Sequence, residues 1–98
     1  MIIIQGHARF APGTATAHLA AMRTMVEATR AEDGCELYAF AFDATDPDLM
    51  HITERWRDQA AVDAHGASAH MATFRGVMGA AAPVEMKIGY FTAERQKK

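Results

Sequence analysis

The strongest constraint on this chain is the order in which two side-chain periodicities follow one another. Four stretches alternate with period two, as a strand does, and the stretches linking the first to the second and the third to the fourth repeat every three or four residues, as a helix does. From Ile2 to Phe10 one face collects Ile2, Ile4, Gly6, Ala8 and Phe10 and the other Ile3, Gln5, His7 and Arg9. Ala11-Pro12-Gly13 ends that strand, since proline lacks a ladder donor and glycine permits a turn. Thr14 or Thr16 is expected to cap a helix running to about Glu32, with Ala15, Leu19, Met22, Val26 and Thr29 on its apolar face and Arg23, Glu27 and Arg30 opposite. Asp33-Gly34 stops it.

A second strand, Cys35 to Asp43, sets Leu37, Ala39 and Ala41 against Tyr38, Phe40 and Phe42, and both faces are apolar enough to be covered. Asp43 to Asp48, with Thr45-Asp46-Pro47, has the composition of a turn between antiparallel strands. The third strand, Leu49 to Trp56, places Met50, Ile52, Glu54 and Trp56 on one side and His51, Thr53 and Arg55 on the other. Asp58 is a good N-cap for a helix over Gln59 to His65, Gly66 ends or kinks it, and Ser68 caps a further helix carrying Met71, Phe74, Val77 and Met78. Pro83 closes that helix, and a last strand runs from Val84 to Ala93.

Strand, helix, two strands, helix pair, strand is the ferredoxin-like βαββαβ arrangement. It predicts an α+β domain with a four-stranded antiparallel sheet and both crossovers on one face. The helices cover only that face. Phe40, Phe42, Phe91 and Ile3, or their neighbours one residue along, then need another cover, and a second copy meeting sheet to sheet is the economical one. The expectation is therefore a homodimer, a dimeric α+β barrel. Ninety-eight residues suit one domain and are too few for two cores, so residues 1–98 read as a single unit with Arg95-Gln96-Lys97-Lys98 as a solvated basic tail.

Several classes of function drop out. The net charge is −2 and the positive residues are dispersed, so nucleic acid is not an expected partner. Charged residues interrupt every segment well before a membrane span would be complete. The single cysteine, Cys35, cannot form an internal disulfide and reads as a small buried hydrophobe. No secretory leader is read, and a reducing cytoplasm is the expected compartment. There is no glycine-rich phosphate loop and no Gly-x-Ser-x-Gly elbow. His65 and His70 are five residues apart, not the four that lets two imidazoles share an ion on one helix, and no Cys/His pair accompanies them, so no metal is expected.

Glu54, Trp56 and Asp58, followed by His65 and His70, form a Glu-x-Trp, Asp, His-x-x-x-x-His run. An Arg-x-x-Pro-Gly turn at Arg9 to Gly13 and a Glu-x-Gly-Cys entry at Glu32, Gly34 and Cys35 precede it. This ordered set resembles the antibiotic biosynthesis monooxygenase family of small dimeric α+β barrel proteins, and spans nearly the whole chain. Relatives oxidise aromatic quinols, degrade haem or process small signalling molecules, many of them without metal or flavin. The resemblance implies a cofactor-independent monooxygenase acting with dioxygen on a small aromatic or quinone-like substrate of quinol or anthrone type, in a cleft between sheet and helices. Such chemistry needs a base, an anion-stabilising donor and an apolar chamber.

For that chemistry His65 or His70 is the expected base, having a reference pKa near the range where a general base works best. Trp56, Tyr38 and Phe74 are expected to bind a flat ring, with Phe40 beside them and the indole donor of Trp56 on its oxygen. Each has a structural counterpart: His65 at a helix end can cap carbonyls, His70 can be buried in core or interface, and Trp56 shares a face with Ile52 and Met50. Glu54 lies on that apolar face too, where a carboxylate must be paired or protonated, with His65, Arg9 or Arg23 as the structural partner and a substrate-side role as the alternative. A non-catalytic dimeric binding module, an isomerase or a haem-degrading enzyme would share the fold. The chain has no asparagine, which haem-degrading relatives often carry late in strand one, and this weighs against the last.

Overall fold

Antiparallel pairing turns the four period-two stretches into one sheet in the order β2-β3-β1-β4, built from β1 (Ile2–Arg9), β2 (Cys35–Asp43), β3 (Asp46–Trp56) and β4 (Glu85–Thr92). The structure is a computed structural model and describes residues 1–79 and 83–98. Between β1 and β2 lie a 3-10 turn (Ala15–His18) and α1 (Leu19–Arg30). Between β3 and β4 lie α2 (Gln59–Gly66) and α3 (Ala69–Gly79). The fold is the expected α+β ferredoxin-like one, with four antiparallel strands and three helices. The expected end of α3 before Pro83 falls on residues 80–82, outside the described residues.

The period-two faces explain the core. Residues opposite one another in an antiparallel pair share a face. Ile4 stands opposite Glu54, Glu54 opposite Tyr38, and Gly6 opposite Ile52. One buried cluster joins Ala8, Phe10, Ala15, Met22, Met50 and Ile52, and a second joins Ile4, Met25, Tyr38, Trp56 and Ala61. Both lie on the helix side of the sheet. Met25 takes the place in the core expected of Leu19, which is nearly half exposed. The reason is that α1 begins only at Leu19, after a tighter 3-10 turn that carries no side-chain cap from Thr14.

Two other expectations are corrected. The turn expected over Asp43 to Asp48 is shorter, because β3 begins at Asp46. Asp43 accepts from the amide and hydroxyl of Thr45, closing the hairpin in two residues. Phe40 and Phe42 do not lie on the open face of the sheet. They share the helix side with Tyr38, and Phe40 stacks on Phe74 at 5.9 Å. The open face carries Ile3, Leu37, Ala39, Ala41 and Phe91 among polar side chains, several of them in cross-strand pairs: His7 with Glu85, Arg9 with Asp46 and His51 with Asp43. The most exposed apolar side chains belong instead to the edge strand β4. Tyr90 lies opposite buried Ile4 yet is 69% exposed, and Val84, just before β4, is 67% exposed.

Candidate active site

A turn and a helix break bring three side chains together from distant parts of the chain. The turn after α1 contains Gly34 at φ +84°, a conformation that glycine adopts without strain. Its carbonyl accepts from Arg57 N at 2.8 Å, and Asp33 accepts two hydrogen bonds from the Arg57 guanidinium at 3.1 and 3.0 Å, which holds the Asp33 carboxyl below its ordinary range. The turn is thus docked on the β3–α2 junction, and Glu32 points at α2. Asp58 caps α2 by accepting from Ala61 N at 2.9 Å, as its sequence position predicts. At the other end Ser68 joins the two helices: its hydroxyl donates to the His65 carbonyl at 2.7 Å and accepts from Met71 N at 3.2 Å.

That hinge turns His65 and His70 toward each other despite their five-residue spacing. Both meet the same oxygen: Glu32 Oε2 lies 2.7 Å from His65 Nδ1 and 2.8 Å from His70 Nε2. A carboxylate only accepts, so each of these nitrogens carries a proton. In the neutral imidazoles the lone pair then sits on His65 Nε2 and His70 Nδ1. His70 Nδ1 has no hydrogen-bond partner among the described residues.

Behind this trio lies an aromatic wall. The His65 ring packs 4.8 Å from the Trp56 ring and 5.4 Å from Tyr38, and it is not the helix-end cap considered above, because its Nδ1 is committed to Glu32. Trp56 is fully buried and its indole N–H donates to Glu54 Oε1 at 3.0 Å. Glu54 is 8% exposed, and its partner is therefore Trp56 rather than Arg9 or Arg23. Burial pushes the Glu54 carboxyl above its ordinary value, against the pull of the Trp56 donor and the nearby His65. The Tyr38 phenol is likewise pushed up, first by burial and then by the negative charge of Glu54. Next to it lies the fully buried Thr29, whose side chain partly offsets that rise.

A cleft of about 370 Å³ opens between α1 and α3, lined by Ala21, Thr24, Met25, His70, Thr73, Phe74 and Val77. Of the six side chains named from sequence, His70 and Phe74 line it. His65 stands behind His70, and Tyr38, Trp56 and Glu54 are buried in the wall and do not reach the space. This groove lies between two helices rather than between sheet and helices, and Phe74 at its base stacks on Phe40 of the sheet. A smaller groove of about 220 Å³ lies over α1 and β2, with Arg23, Glu27 and Arg30 beside Phe40 and Phe42.

Glu32 is the participant that sequence reasoning missed. Its only signal was its place in the Glu-x-Gly-Cys run, which says nothing about where its carboxylate points. Glu32, His65 and His70 also form a group able to hold a metal among the described residues, their ligand atoms lying within 4.8 Å of one another. With Glu32 Oε2 at 2.7 and 2.8 Å from the two imidazole nitrogens, the three side chains are held together by hydrogen bonds. Cys35, at the start of β2, has its thiol pushed up by burial and by the neighbouring carboxylates, so it is a poor nucleophile.

Comparison with known proteins agrees with this architecture. Residues 1–77 match the family described as antibiotic biosynthesis monooxygenase. Among curated proteins, "Uncharacterized protein sll1783" of Synechocystis is 32% identical over 97 residues, covering 97% of this chain and 65% of that protein. "Putative monooxygenase Rv0793" of Mycobacterium tuberculosis is 35% identical over 68 residues, covering 69% of this chain and 66% of that one. The chain thus matches just under two thirds of the length of each. Among solved structures, one titled as a putative antibiotic biosynthesis monooxygenase from Deinococcus radiodurans superposes with a TM-score of 0.88 at 26% identity, over 100% of this chain and 97% of that one. PA3566 from Pseudomonas aeruginosa gives a TM-score of 0.84 at 30% identity, over 96% of this chain and 94% of that one.

Proposed function

This chain belongs to the antibiotic biosynthesis monooxygenase family, and on that footing we propose that it is a cofactor-independent monooxygenase of small electron-rich rings, quinols or anthrones, with His70 as general base. The observation that carries the proposal is the shared carboxylate. Glu32 Oε2 takes the Nε2 proton of His70 into a hydrogen bond and leaves Nδ1 as an acceptor beside the α1–α3 cleft. A carboxylate behind an imidazole orients it, selects its tautomer and stabilises the imidazolium once a proton is taken.

The reaction balances without a cofactor. His70 Nδ1 removes a proton from the ring carbon or hydroxyl, and the resulting anion transfers one electron to dioxygen. The radical pair then joins to form a carbon–oxygen bond. As the O–O bond of the peroxide breaks, the carbon loses its second hydrogen as a proton and the distal oxygen leaves as water. For an anthrone the sum is CH2 plus O2 giving C=O plus H2O. Met25, Phe74 and Val77 offer the apolar surface for the ring. Trp56 and Glu54 act at one remove, by fixing the floor on which His65 rests.

The reading includes a homodimer, supported by the uncovered apolar side chains of β4 and by Ile3, Leu37 and Phe91 on the open face. Oxygen uptake tests the chemistry. Reduced quinols and anthrones are expected to drive consumption above the uncatalysed rate, and His70→Ala to lower it by about 10²-fold or more with little change in melting temperature. No uptake with any of them, or full activity in H70A, refutes the proposal.

A further inference from the structure

The five-residue spacing of His65 and His70 argues against a shared ion only on an unbroken helix, where the two rings point apart. The chain breaks between them. α2 ends at Gly66 and α3 begins at Ala69, and the Ser68 hydroxyl clamps the junction by donating to the His65 carbonyl. His65 Nδ1 and His70 Nε2 therefore converge, and Glu32 Oε2 completes a set of three donor atoms within 4.8 Å of one another. Each donor is braced from behind. Glu32 precedes the turn that Arg57 locks through Asp33 and the Gly34 carbonyl, His65 packs on the buried Trp56 ring, and His70 lies in the first turn of α3, which Ser68 caps. The trio is reached from two sides, since His70 lines the α1–α3 cleft and Glu32 lines a groove beside α2.

The charges point the same way. The Glu32 side chain is only 16% exposed, and its ion-pair partners among the described residues are the two imidazoles, with no lysine or arginine. Buried Glu54 feels both the Glu32 charge and His65, and its own hydrogen-bond partner is the neutral Trp56 N–H. Two carboxylates thus lie near each other away from water, a setting that favours a bound cation. His7 with Glu85 and His51 with Asp43 offer two donors each on the open sheet face, and no third joins either pair among the described residues.

We infer that Glu32, His65 and His70 bind one divalent transition ion of zinc type, through Oε2, Nδ1 and Nε2. Two imidazoles and one carboxylate are a donor set such ions take in three-ligand sites, with a further position left for water. Magnesium and calcium need more oxygen ligands than this set offers. Bonds of about 2.0–2.1 Å hold tetrahedral donors roughly 3.3 Å apart. Glu32 Oε2 lies 2.7 and 2.8 Å from the two nitrogens, so the carboxylate withdraws by roughly half an ångström to admit the ion. The protons balance whatever charge the rings carry beforehand. Each coordinating nitrogen gives up any proton it holds; a ring left with none takes one up on its other nitrogen, and a charged ring keeps the one already there. His70 Nδ1 ends protonated in either case, so the bound ion and the base proposed above exclude each other.

Calorimetric titration of the untagged chain, freed of metal by EDTA and dialysis, tests the inference with zinc and magnesium chlorides. One zinc ion per chain is expected to bind with a Kd below about 10 μM, and magnesium not to bind measurably. Glu32→Gln and His70→Gln are each expected to weaken zinc at least about tenfold, since loss of a mere supporting residue already costs roughly 10–100-fold. His51→Gln is expected to leave zinc affinity unchanged. Nitrogen NMR of the histidine rings reads the site in the wild-type chain with no substitution: zinc is expected to shift the ring nitrogens of His65 and His70 and leave those of His7, His18 and His51 in place. A zinc Kd above about 10 μM, unaltered affinity in E32Q or H70Q, unmoved ring signals of His65 and His70, or magnesium binding as tight as that of zinc overturns the inference. Oxygen uptake keeps the two readings apart: zinc that binds at the trio without slowing uptake refutes only His70 as the base, and uptake by a chain that does not bind zinc refutes only this site.

Discussion

Replacing Trp56 by phenylalanine separates two things that the wall behind His65 does at once. Trp56 fills space in the second core cluster, and its N–H is the hydrogen-bond donor to the Glu54 side chain. Phenylalanine loses three ring atoms of a fully buried side chain, worth about 2 kcal/mol of packing at roughly 0.8 kcal/mol per buried carbon. Leaving the Glu54 carboxylate without its donor adds about 2 kcal/mol more. The total of about 4 kcal/mol lowers the melting temperature by roughly 20 °C in a domain of this size. In a Glu54→Met background there is no acceptor to orphan, so the same substitution is expected to cost only about 2 kcal/mol.

The cost also depends on pH, and its sign follows from Glu54. Burial already raises its folded value above the ordinary 4.5, and the indole donor pulls it down. Without that donor it rises further. Below the unfolded value the carboxyl is protonated in both states and no charge is buried. As pH climbs through the raised folded value, the folded state increasingly bears the cost. W56F is therefore expected to be more damaging at pH 8 than at pH 4. Because Trp56 is the only tryptophan, unfolding is followed by far-ultraviolet circular dichroism in urea. Equal cost of W56F in both backgrounds and at both pH values would refute the coupling.

Two further perturbations probe the turn and the edge. Gly13 and Gly34 both have positive φ, but a Cβ at Gly34 would lie 2.6 Å from the Ala61 Cβ whereas one at Gly13 would meet nothing. Alanine is thus expected to cost about 1 kcal/mol at Gly13 and about 3 kcal/mol at Gly34, read from thermal melts; equal costs would show that the docked turn is not tight. Phe91→Asp on the open face of β4 is expected to shift sedimentation from dimer toward monomer, and a wild-type chain that sediments as a monomer at micromolar concentration would contradict the proposed homodimer.

The elements that could be read in advance are those whose signal is local. Alternation over Ile2 to Phe10 and over Leu49 to Trp56 identifies the inward faces. Asp58 and Ser68 cap the helices that their positions predict, because a cap involves only the next three residues. Alternation leaves the face of Phe40 and Phe42 open because β2 is apolar on both sides, and only the register opposite Met50 and Ile52 decides between them. The start of α1 was misplaced because nothing in Thr14 to His18 distinguishes a 3-10 turn from an α-helical one.

Residue order along the chain determined the strand and helix sequence, hence the sheet topology, since periodicity and caps act over a few neighbouring residues; the two histidines became candidates through the family resemblance of the run from Glu54 to His70. Which carboxylate they share was decided only by tertiary structure. Glu32 is separated from His65 by 33 residues and from His70 by 38, and it reaches them because the Gly34 turn docks on Arg57 while Ser68 folds α3 back on α2. No local pattern encodes such a meeting: the bonds that create it join segments whose mutual position is set by burial of the core between them.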